Sequence, residues 1–236
     1  MQRLTHALDA VKATRSRKAK VQHLSTLLRT LTKEELPFAS RLILGRVLPV
    51  GDARTLGVGW ASLSAAAAEV TGLSVGAIGV KSREVGDFGD ALEVLLPAGE
   101  RHLPLLDVPP LIEAIAATGD RAEKHRLLLE LLRRAAPWEA RYLVKAILGE
   151  LRVGVQLGIF EEALAAAFDV TLEALRRASA LTPDPGALAV LAAERRLDAA
   201  AVVPGNVVAF MLATPTESVK EPVDAAHTIV EDKLDG

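Results

Sequence analysis

Residues at the end of the chain combine a lysine with an acidic turn. Lys233 precedes Asp235 and Gly236, and Glu231 stands two positions before it. A lysine amine acts as a nucleophile when its surroundings favour the neutral form, and an Asp-Gly turn can present that amine at the mouth of a pocket. The pattern K-x-D-G therefore predicts nucleophilic chemistry at Lys233, although the same residue types also form ordinary surface turns.

A second candidate site is the glycine-bounded stretch from Gly149 to Gly154, which contains Arg152. The residues before it predict a helix that ends at Gly149. Glycines allow close backbone approach, and free backbone amides beside an arginine can bind phosphate. The stretch therefore indicates a phosphate-binding turn. Taken alone, it fits a helix–turn–helix with a C-cap glycine equally well.

Charge is distributed unevenly along the chain. The net charge is −2, but residues 1–46 contain ten basic and three acidic residues, whereas residues 213–236 contain two basic and six acidic residues. A basic first quarter indicates a local surface for a polyanion, and a solvated helix face is the alternative. Arg15, Arg17 and Lys18 form the densest group of these cations.

Composition restricts the remaining classes of protein. Half of the residues are apolar but only 3% are aromatic, and alanine and leucine predominate, which favours helices. The absence of cysteine excludes disulfides and thiolate metal sites, and the five histidines lack metal-ligand spacing, so we expect no metal site in this sequence itself. No apolar run is long enough to span a bilayer, and we expect a cytoplasmic protein associated with the bacterial nucleoid.

Hydrophobic periodicity and capping signals predict an all-α domain of many irregular helices. Residues 80–90 are punctuated by glycine and 101–108 are predicted to be extended. The predicted helices are one or two within 1–31, then 32–47, 60–70, 91–96, 111–118, 120–134, 138–148, 159–168, 172–179 and 186–196.

The types of residue in the sequence change near residue 200. Beyond it, β-branched residues such as Val202, Val203 and Ile229 and the prolines at 204, 215 and 222 replace the helical pattern. The sequence therefore predicts a helical domain at 1–200 and a short extended segment at 201–236. It shows no low-complexity tract, and we expect no internal repeat.

Five regions resemble the ATP-dependent DNA ligase family in the same order, and the last of them contains two motifs. The family's first nucleotidyltransferase motif, E-x-K-x-D-G, is similar to Glu231–Gly236, and its preceding P-M-L-A is similar to Phe210–Ala213, with phenylalanine in place of proline. Its G-x-L-R-x-G turn resembles Gly149–Gly154. The other matching stretches are the opening basic helix at 14–27, a P…L-G-x-G loop at 49–59 and a G-D-L-G segment at 86–89.

The resemblance covers essentially the whole chain and implies specific roles. It implies a DNA-binding domain followed by the start of an adenylation domain, in an enzyme that seals nicks in duplex DNA using ATP and Mg²⁺ through a lysine–AMP intermediate, in repair, replication or recombination. Lys233 would be adenylated, and Glu231 and Asp235 would help to bind ATP. Gly149, Arg152 and Gly154 would contact the duplex backbone in the minor groove.

Four more residues are candidates for phosphate contacts, namely Lys145, Arg15, Arg17 and Lys18. The chain ends just after Lys233, without the family's later motifs, so we expect this polypeptide to bind nicked duplex but not to ligate it. The alternatives are a non-enzymatic helical adaptor module, and an RNA ligase or capping-enzyme relative, whose families lack such a long helical domain.

Overall fold

The computed structural model describes residues 1–202. Within this range the chain forms twelve α-helices and two short 3-10 helices, at Leu105–Asp107 and Leu197–Ala199, and no strand. The prediction of an all-α domain is thereby confirmed. The predicted extended segment, including Phe210–Ala213, lies outside the described residues, and the boundary near residue 200 stays a prediction.

The helices fall into two sets of six along the chain. The first six are α1 (Gln2–Lys12), α2 (Arg17–Thr30), α3 (Leu36–Ile43), α4 (Trp60–Thr71), α5 (Val75–Val85) and α6 (Phe88–Leu95). The second six are α7 (Val108–Ala117), α8 (Arg121–Arg134), α9 (Pro137–Ile147), α10 (Leu157–Phe168), α11 (Leu172–Leu181) and α12 (Pro185–Ala193).

The second set repeats the first in order, and five of the six helix pairs agree in length to within one residue. Helices α2 and α8 each contain 14 residues and start 104 residues apart, at Arg17 and Arg121. Helices α4 and α10 each contain 12 residues and start 97 residues apart, at Trp60 and Leu157. The expectation of no internal repeat is therefore wrong. The repeat is carried by scattered cap and core residues, and the loop after α3 is longer than the loop after α9.

Core residues recur at matching positions in the two halves. The buried side chains of α2 have buried counterparts in α8, and those of α1 have buried counterparts in α7. Burial of one apolar stripe on each helix is what drives such amphipathic segments to pack. The matching pairs are Leu24 with Leu128, Leu27 with Leu131, Leu28 with Leu132, Leu4 with Val108, Leu8 with Ile112 and Val11 with Ile115.

Side-chain caps begin the same helices in both halves. The α5 cap Ser74 and the α11 cap Thr171 each accept a hydrogen bond from the backbone N–H three residues later, at 3.2 and 3.3 Å. The α6 cap Asp87 and the α12 cap Asp184 do the same, at 2.7 and 2.9 Å. Each cap satisfies a backbone donor that has no partner within its helix.

The two halves are interlocked, because four helices of each half pack most extensively on the other half, while α1 with α2 and α5 with α6 pack within one half. Helix α3 packs on α12 and α9 packs on α6, while α2 packs on α10 and α8 packs on α4. Reciprocal contacts of this kind are typical of a two-fold arrangement, in which two helices that contact each other have counterparts that also contact each other. The domain is thus a pseudo-two-fold pair of six-helix units.

The sequence does not predict one of the helices, and it predicts a later start for another. Helix α5 covers Val75–Val85, in the stretch interpreted as glycine-punctuated, because Ser74 caps it and Gly79 lies under the ring of Trp60, 3.7 Å away from where a Cβ would be. Helix α7 begins at Val108 and includes Pro109 and Pro110, since first-turn prolines need no amide donor.

A third helix is shorter than predicted. The predicted helix at 32–47 is confined to Leu36–Ile43. Thr32 and Glu35 do form the reciprocal capping-box hydrogen bonds, at 2.9 and 3.3 Å, one turn before the helix proper. At the other end, Gly45 adopts a φ of +73° and closes the helix.

Membrane-spanning potential among the described residues is limited to one bent pair of helices. No single helix there is both long and apolar enough to cross a bilayer. Helices α4 and α5 satisfy the length and composition requirements only together, across a bend of 106°.

Candidate nucleic-acid interface

The turn from Gly149 to Gly154, here called the Arg152 turn, is built on the end of α9. The Gly149 N–H donates to the Ala146 carbonyl at 3.1 Å and the Glu150 N–H donates to the Lys145 carbonyl at 2.7 Å. With φ of +72° at Gly149, this is a Schellman motif, which requires a left-handed residue after the helix. The predicted C-cap role of Gly149 is thereby explained by geometry.

Alternating burial presents Arg152 to solvent. Leu151 and Val153 are 6% and 4% exposed and anchor the turn in the core. The Arg152 side chain between them is 72% exposed, and its only ionic neighbour among residues 1–202 is Glu150, at 3.9 Å. Arg152 also has a φ of +47°, an uncommon conformation for a residue other than glycine. The turn therefore holds a cation outward on a rigidly anchored backbone.

Basic residues of α2 lie against the same segment. The Lys20 ammonium donates to the Gly154 carbonyl at 2.8 Å, and a Cβ on Gly154 would lie 2.5 Å from that nitrogen. A φ of +70° favours glycine at position 154, and the absence of a side chain leaves room for the Lys20 ammonium. Lys20 was not among the candidate residues from the sequence, and only its contact with the turn identifies it.

Arg17 reaches the first turns of α10. Its guanidinium Nη2 donates to Glu162 Oε1 at 2.7 Å. The same nitrogen lies 3.4 Å from the position that a Cβ on Gly158 would take. This pairing raises the pKa of Arg17 and lowers the pKa of Glu162, and the hydrogen bond between them is the main cause of both shifts. The structure thus brings Arg17 and Lys20 together with residues 153–158.

Arg15 and Lys18 are exposed and have no ion-pair partner within residues 1–202. They flank Arg17 at the start of α2, where Ser16 caps the helix by accepting a hydrogen bond from the Ala19 N–H at 3.3 Å. Both side chains are therefore available to a polyanion beside the Arg152 turn.

Lys145 lies in the interior rather than on this surface. Its side chain is 4% exposed, and its ammonium is 2.7 Å from Asp87 Oδ2 and 2.6 Å from Asp90 Oδ1. Burial alone would raise the pKa of Asp90, but the Lys145 ammonium lowers that pKa below its ordinary value. A buried, doubly paired amine is not presented to a duplex, so we leave Lys145 out of the interface.

Glu231, Lys233 and Asp235 lie outside the described residues. Within residues 1–202 there is no group of three His, Asp or Glu side chains placed to hold a metal ion. The nucleotide chemistry assigned to Glu231, Lys233 and Asp235 therefore stays a prediction.

Comparisons with known proteins agree with this geometry. A family model described as "DNA ligase N terminus" matches residues 1–165. A "Probable DNA ligase" from Koribacter versatilis is 38% identical over 240 residues, covering 100% of this chain and 42% of that protein. A "DNA ligase" from Methanothermobacter thermautotrophicus is 36% identical, covering 99% of this chain and 44% of that protein.

A similar match extends to a third organism. A "DNA ligase" from Pyrobaculum arsenaticum is 34% identical over 249 residues, covering 99% of this chain and 43% of that protein. The chain thus spans less than half the length of these curated relatives. The matches run through both six-helix units, and the chain belongs to the ATP-dependent DNA ligase family.

Proposed function

We propose that residues 1–202 are the DNA-binding part of an ATP-dependent DNA ligase. They bind duplex DNA around a nick, mainly through the phosphate backbone. The observation that carries the proposal is the Arg152 turn, where an outward arginine stands next to the cationic start of α2. Phosphate contacts of this kind position a protein on DNA without reading its sequence.

Anchoring of the turn supports a binding role for Arg152. Leu151 and Val153 fix the backbone in the core, so little conformational entropy would be lost when a phosphate binds to Arg152. Arg152 and its exposed neighbours Arg15 and Lys18 would each neutralise a phosphate and release counterions. Binding should therefore weaken steeply with salt.

Fluorescence anisotropy of a labelled nicked duplex, titrated with the protein at several salt concentrations, tests the proposal. Arg152→Ala should weaken binding about three- to tenfold and reduce the salt slope by about one. Arg195→Ala is the matched control, because Arg195 is also exposed and also has a positive φ, of +55°. Equal effects of the two variants, or no binding by the wild type at low salt, would contradict the proposal.

The adenylation chemistry is a separate part of the proposal. We assign Lys233 as the residue that attacks the α-phosphorus of ATP, and Glu231 and Asp235 as residues that help to bind ATP. Mg²⁺ would screen the phosphate charge. A lysine acts as a nucleophile only where its surroundings lower its pKa, so adenylation of Lys233 should require the complete nucleotide pocket of a ligase.

Intact-mass spectrometry tests this assignment. The polypeptide of residues 1–236, incubated with ATP and Mg²⁺, should show no added AMP. In a full-length ligase containing this sequence, AMP should be added, and Lys233→Ala should abolish the addition while Lys220→Ala should not. Adduct formation by the short polypeptide, or on another lysine, would overturn the assignment.

A further inference from the structure

The first half of the domain contains a counterpart of the contact between Lys20 and the Arg152 turn. The Lys124 ammonium donates to the Leu56 carbonyl at 2.6 Å, and the Lys20 ammonium donates to the carbonyls of Val153 and Gly154, the counterparts of Leu56 and Gly57, at 3.5 and 2.8 Å. A Cβ on Gly57 would lie 2.8 Å from the Lys124 nitrogen, and Gly57 has a φ of +57°. Lys20 and Lys124 occupy equivalent positions of α2 and α8, so this is the same structural device used twice.

Arg121 is the counterpart of Arg17, and it differs in one respect. Glu162, the carboxylate that binds Arg17, is replaced at the equivalent position of α4 by Ala65. Arg121 is exposed and has no ion-pair partner within residues 1–202. All of its guanidinium N–H donors therefore remain available to an external anion, whereas some of those of Arg17 are bound to the Glu162 carboxylate.

Arg121 also lines a cavity whose side chains could bind a phosphate group. The cavity has a volume of about 400 Å³ and is lined by Gly57, Ser62, Arg121, Lys124 and His125. Ser62 lies in the first turn of α4, whose N-cap Gly59 supplies no side-chain acceptor, so amide donors remain available beside the two cations. We call these five residues the Arg121 site. Its donors and cations match a phosphate group.

The two sites adjoin at the interface between the six-helix units. A Cβ on Gly45 would lie 3.3 Å from the Leu151 Cβ, so the loop after α3 touches the Arg152 turn. Ile147, at the end of α9, lines one groove together with Arg46, Gly57 and Gly59. The loops of the two sites are therefore neighbours on one surface. In the Arg152 turn the loop precedes α10 and contacts α2, and in the Arg121 site the equivalent loop precedes α4 and contacts α8.

Duplex DNA has local two-fold axes that relate its antiparallel strands, which is why two-fold proteins bind palindromic sites. We propose that the Arg121 site is a second backbone-contacting site, and that it and the Arg152 turn contact opposite strands of the duplex. This inference rests on the proposed function of the Arg152 turn, and it adds the partner strand and the residues that contact it.

Anisotropy titrations of a nicked duplex test whether Arg121 contacts DNA. Arg121→Ala should weaken binding about three- to tenfold and reduce the salt slope by about one. Arg126→Ala removes the same charge from the same helix, but Arg126 is bound to Glu123 and Glu130, so this control should bind like the wild type. Arg121→Glu should weaken binding further. Because an acidic residue in the first turn of α8 stabilises the helix, weaker binding by this variant would not be due to loss of folding.

Neutral methylphosphonates placed on one strand at a time test the strand assignment. If Arg121 and Arg152 contact opposite strands, Arg121→Ala should lose the sensitivity to neutralisation of one strand, and Arg152→Ala should lose the sensitivity to neutralisation of the other. Loss of sensitivity to the same strand in both variants would overturn the opposite-strand assignment.

The outcomes separate this inference from the function on which it rests. Weaker binding by Arg152→Ala together with unchanged binding by Arg121→Ala would overturn the second site and leave the proposed function standing. Absence of binding by the wild-type protein at low salt would overturn the proposed function, and the second site with it.

Discussion

Arg152 occupies a backbone conformation that its side chain disfavours. A φ of +47° costs an arginine of the order of 1 kcal/mol relative to glycine, and the anchors Leu151 and Val153 maintain it. Positive φ at residues other than glycine occurs at only three positions within residues 1–202, the others being Asp169 and Arg195. Such strain is consistent with a residue retained for binding rather than for stability.

Replacing Arg152 with glycine separates the two roles. Arg152→Gly should raise the free energy of unfolding by about 0.5 to 1 kcal/mol and weaken DNA binding to the same extent as Arg152→Ala. Arg195→Gly should give the same stabilisation and leave DNA binding unchanged. Urea denaturation and anisotropy measure the two quantities. A destabilised Arg152→Gly protein would show that the turn is not strained.

Lys145 provides the opposite case of a cation retained for stability. Lys145→Met keeps the aliphatic stem but leaves Asp87 without its ion-pair partner and Asp90 with Arg141 and Lys12, and it should lower the free energy of unfolding by about 2 to 3 kcal/mol. Lys145→Arg should recover most of this loss, because Arg41 fills the equivalent position and binds Asp184.

DNA binding distinguishes the interior role of Lys145 from an interface role. Folded Lys145→Met protein should bind nicked duplex within about twofold of the wild type, since its ammonium does not reach the surface. Unfolding by urea and anisotropy well below the denaturation midpoint provide the readouts. An affinity loss like that of Arg152→Ala, with unchanged stability, would return Lys145 to the interface.

At the scale of elements, two glycines set how closely paired helices approach. A Cβ on Gly89 of α6 would lie 2.7 Å from the Arg141 carbonyl oxygen of α9. A Cβ on Gly186 of α12 would lie 2.7 Å from the Pro37 carbonyl oxygen of α3. Because backbone atoms cannot yield as side chains do, both helix pairs depend on a residue without a side chain.

Alanine at either glycine should therefore destabilise the domain by similar amounts. We expect Gly89→Ala and Gly186→Ala each to lower the free energy of unfolding by about 1 to 3 kcal/mol, through forced separation of the helices. Gly119→Ala is the control, because a Cβ there meets nothing within 4 Å. A marked difference between the first two variants in thermal or urea unfolding would argue against equivalent helix pairs.

The sequence predicted most helices because their apolar periodicity and caps are local signals. It failed at α5, where the tolerance of Gly79 depends on Trp60 from another helix. It predicted a phosphate contact at Arg152 from the flanking glycines, and this stays a prediction, but it could not place Lys145 inside, since burial depends on the distant Asp87 and Asp90. Arg121 and Lys124 escaped notice because only the structure shows them as counterparts of Arg17 and Lys20.

At the scale of the whole molecule, ion pairs join the two six-helix units. Arg41 of α3 binds Asp184 at the start of α12 at 2.9 Å, and Lys145 of α9 binds Asp87 at the start of α6 at 2.7 Å. Burial alone would raise the pKa of Asp184, but hydrogen bonds from Arg41 and from the backbone N–H groups of Val50 and Ala187 lower it below its ordinary value. The junctions between the units are therefore sensitive to acid.

The sign of the pH dependence follows from these lowered values. A carboxyl with a pKa lower in the folded than in the unfolded protein stabilises the fold above its unfolded pKa, which is about 4, and that stability is lost as pH falls through the folded pKa. The free energy of unfolding should decline below about pH 4. Asp184→Asn should lower it at pH 7 and flatten the decline, as measured by urea denaturation. An unchanged pH profile in this variant would contradict the assignment.

The central claim is that one surface, formed by the loops of both six-helix units, contacts the DNA backbone. Hydrogen-exchange mass spectrometry with and without saturating nicked duplex tests it most directly. We predict slower exchange in peptides covering residues 45–59 and 148–158. Exchange should be unchanged in residues 172–181, in α11, which packs on α10 and α12. Protection of α11 in place of the two loops would contradict the claim.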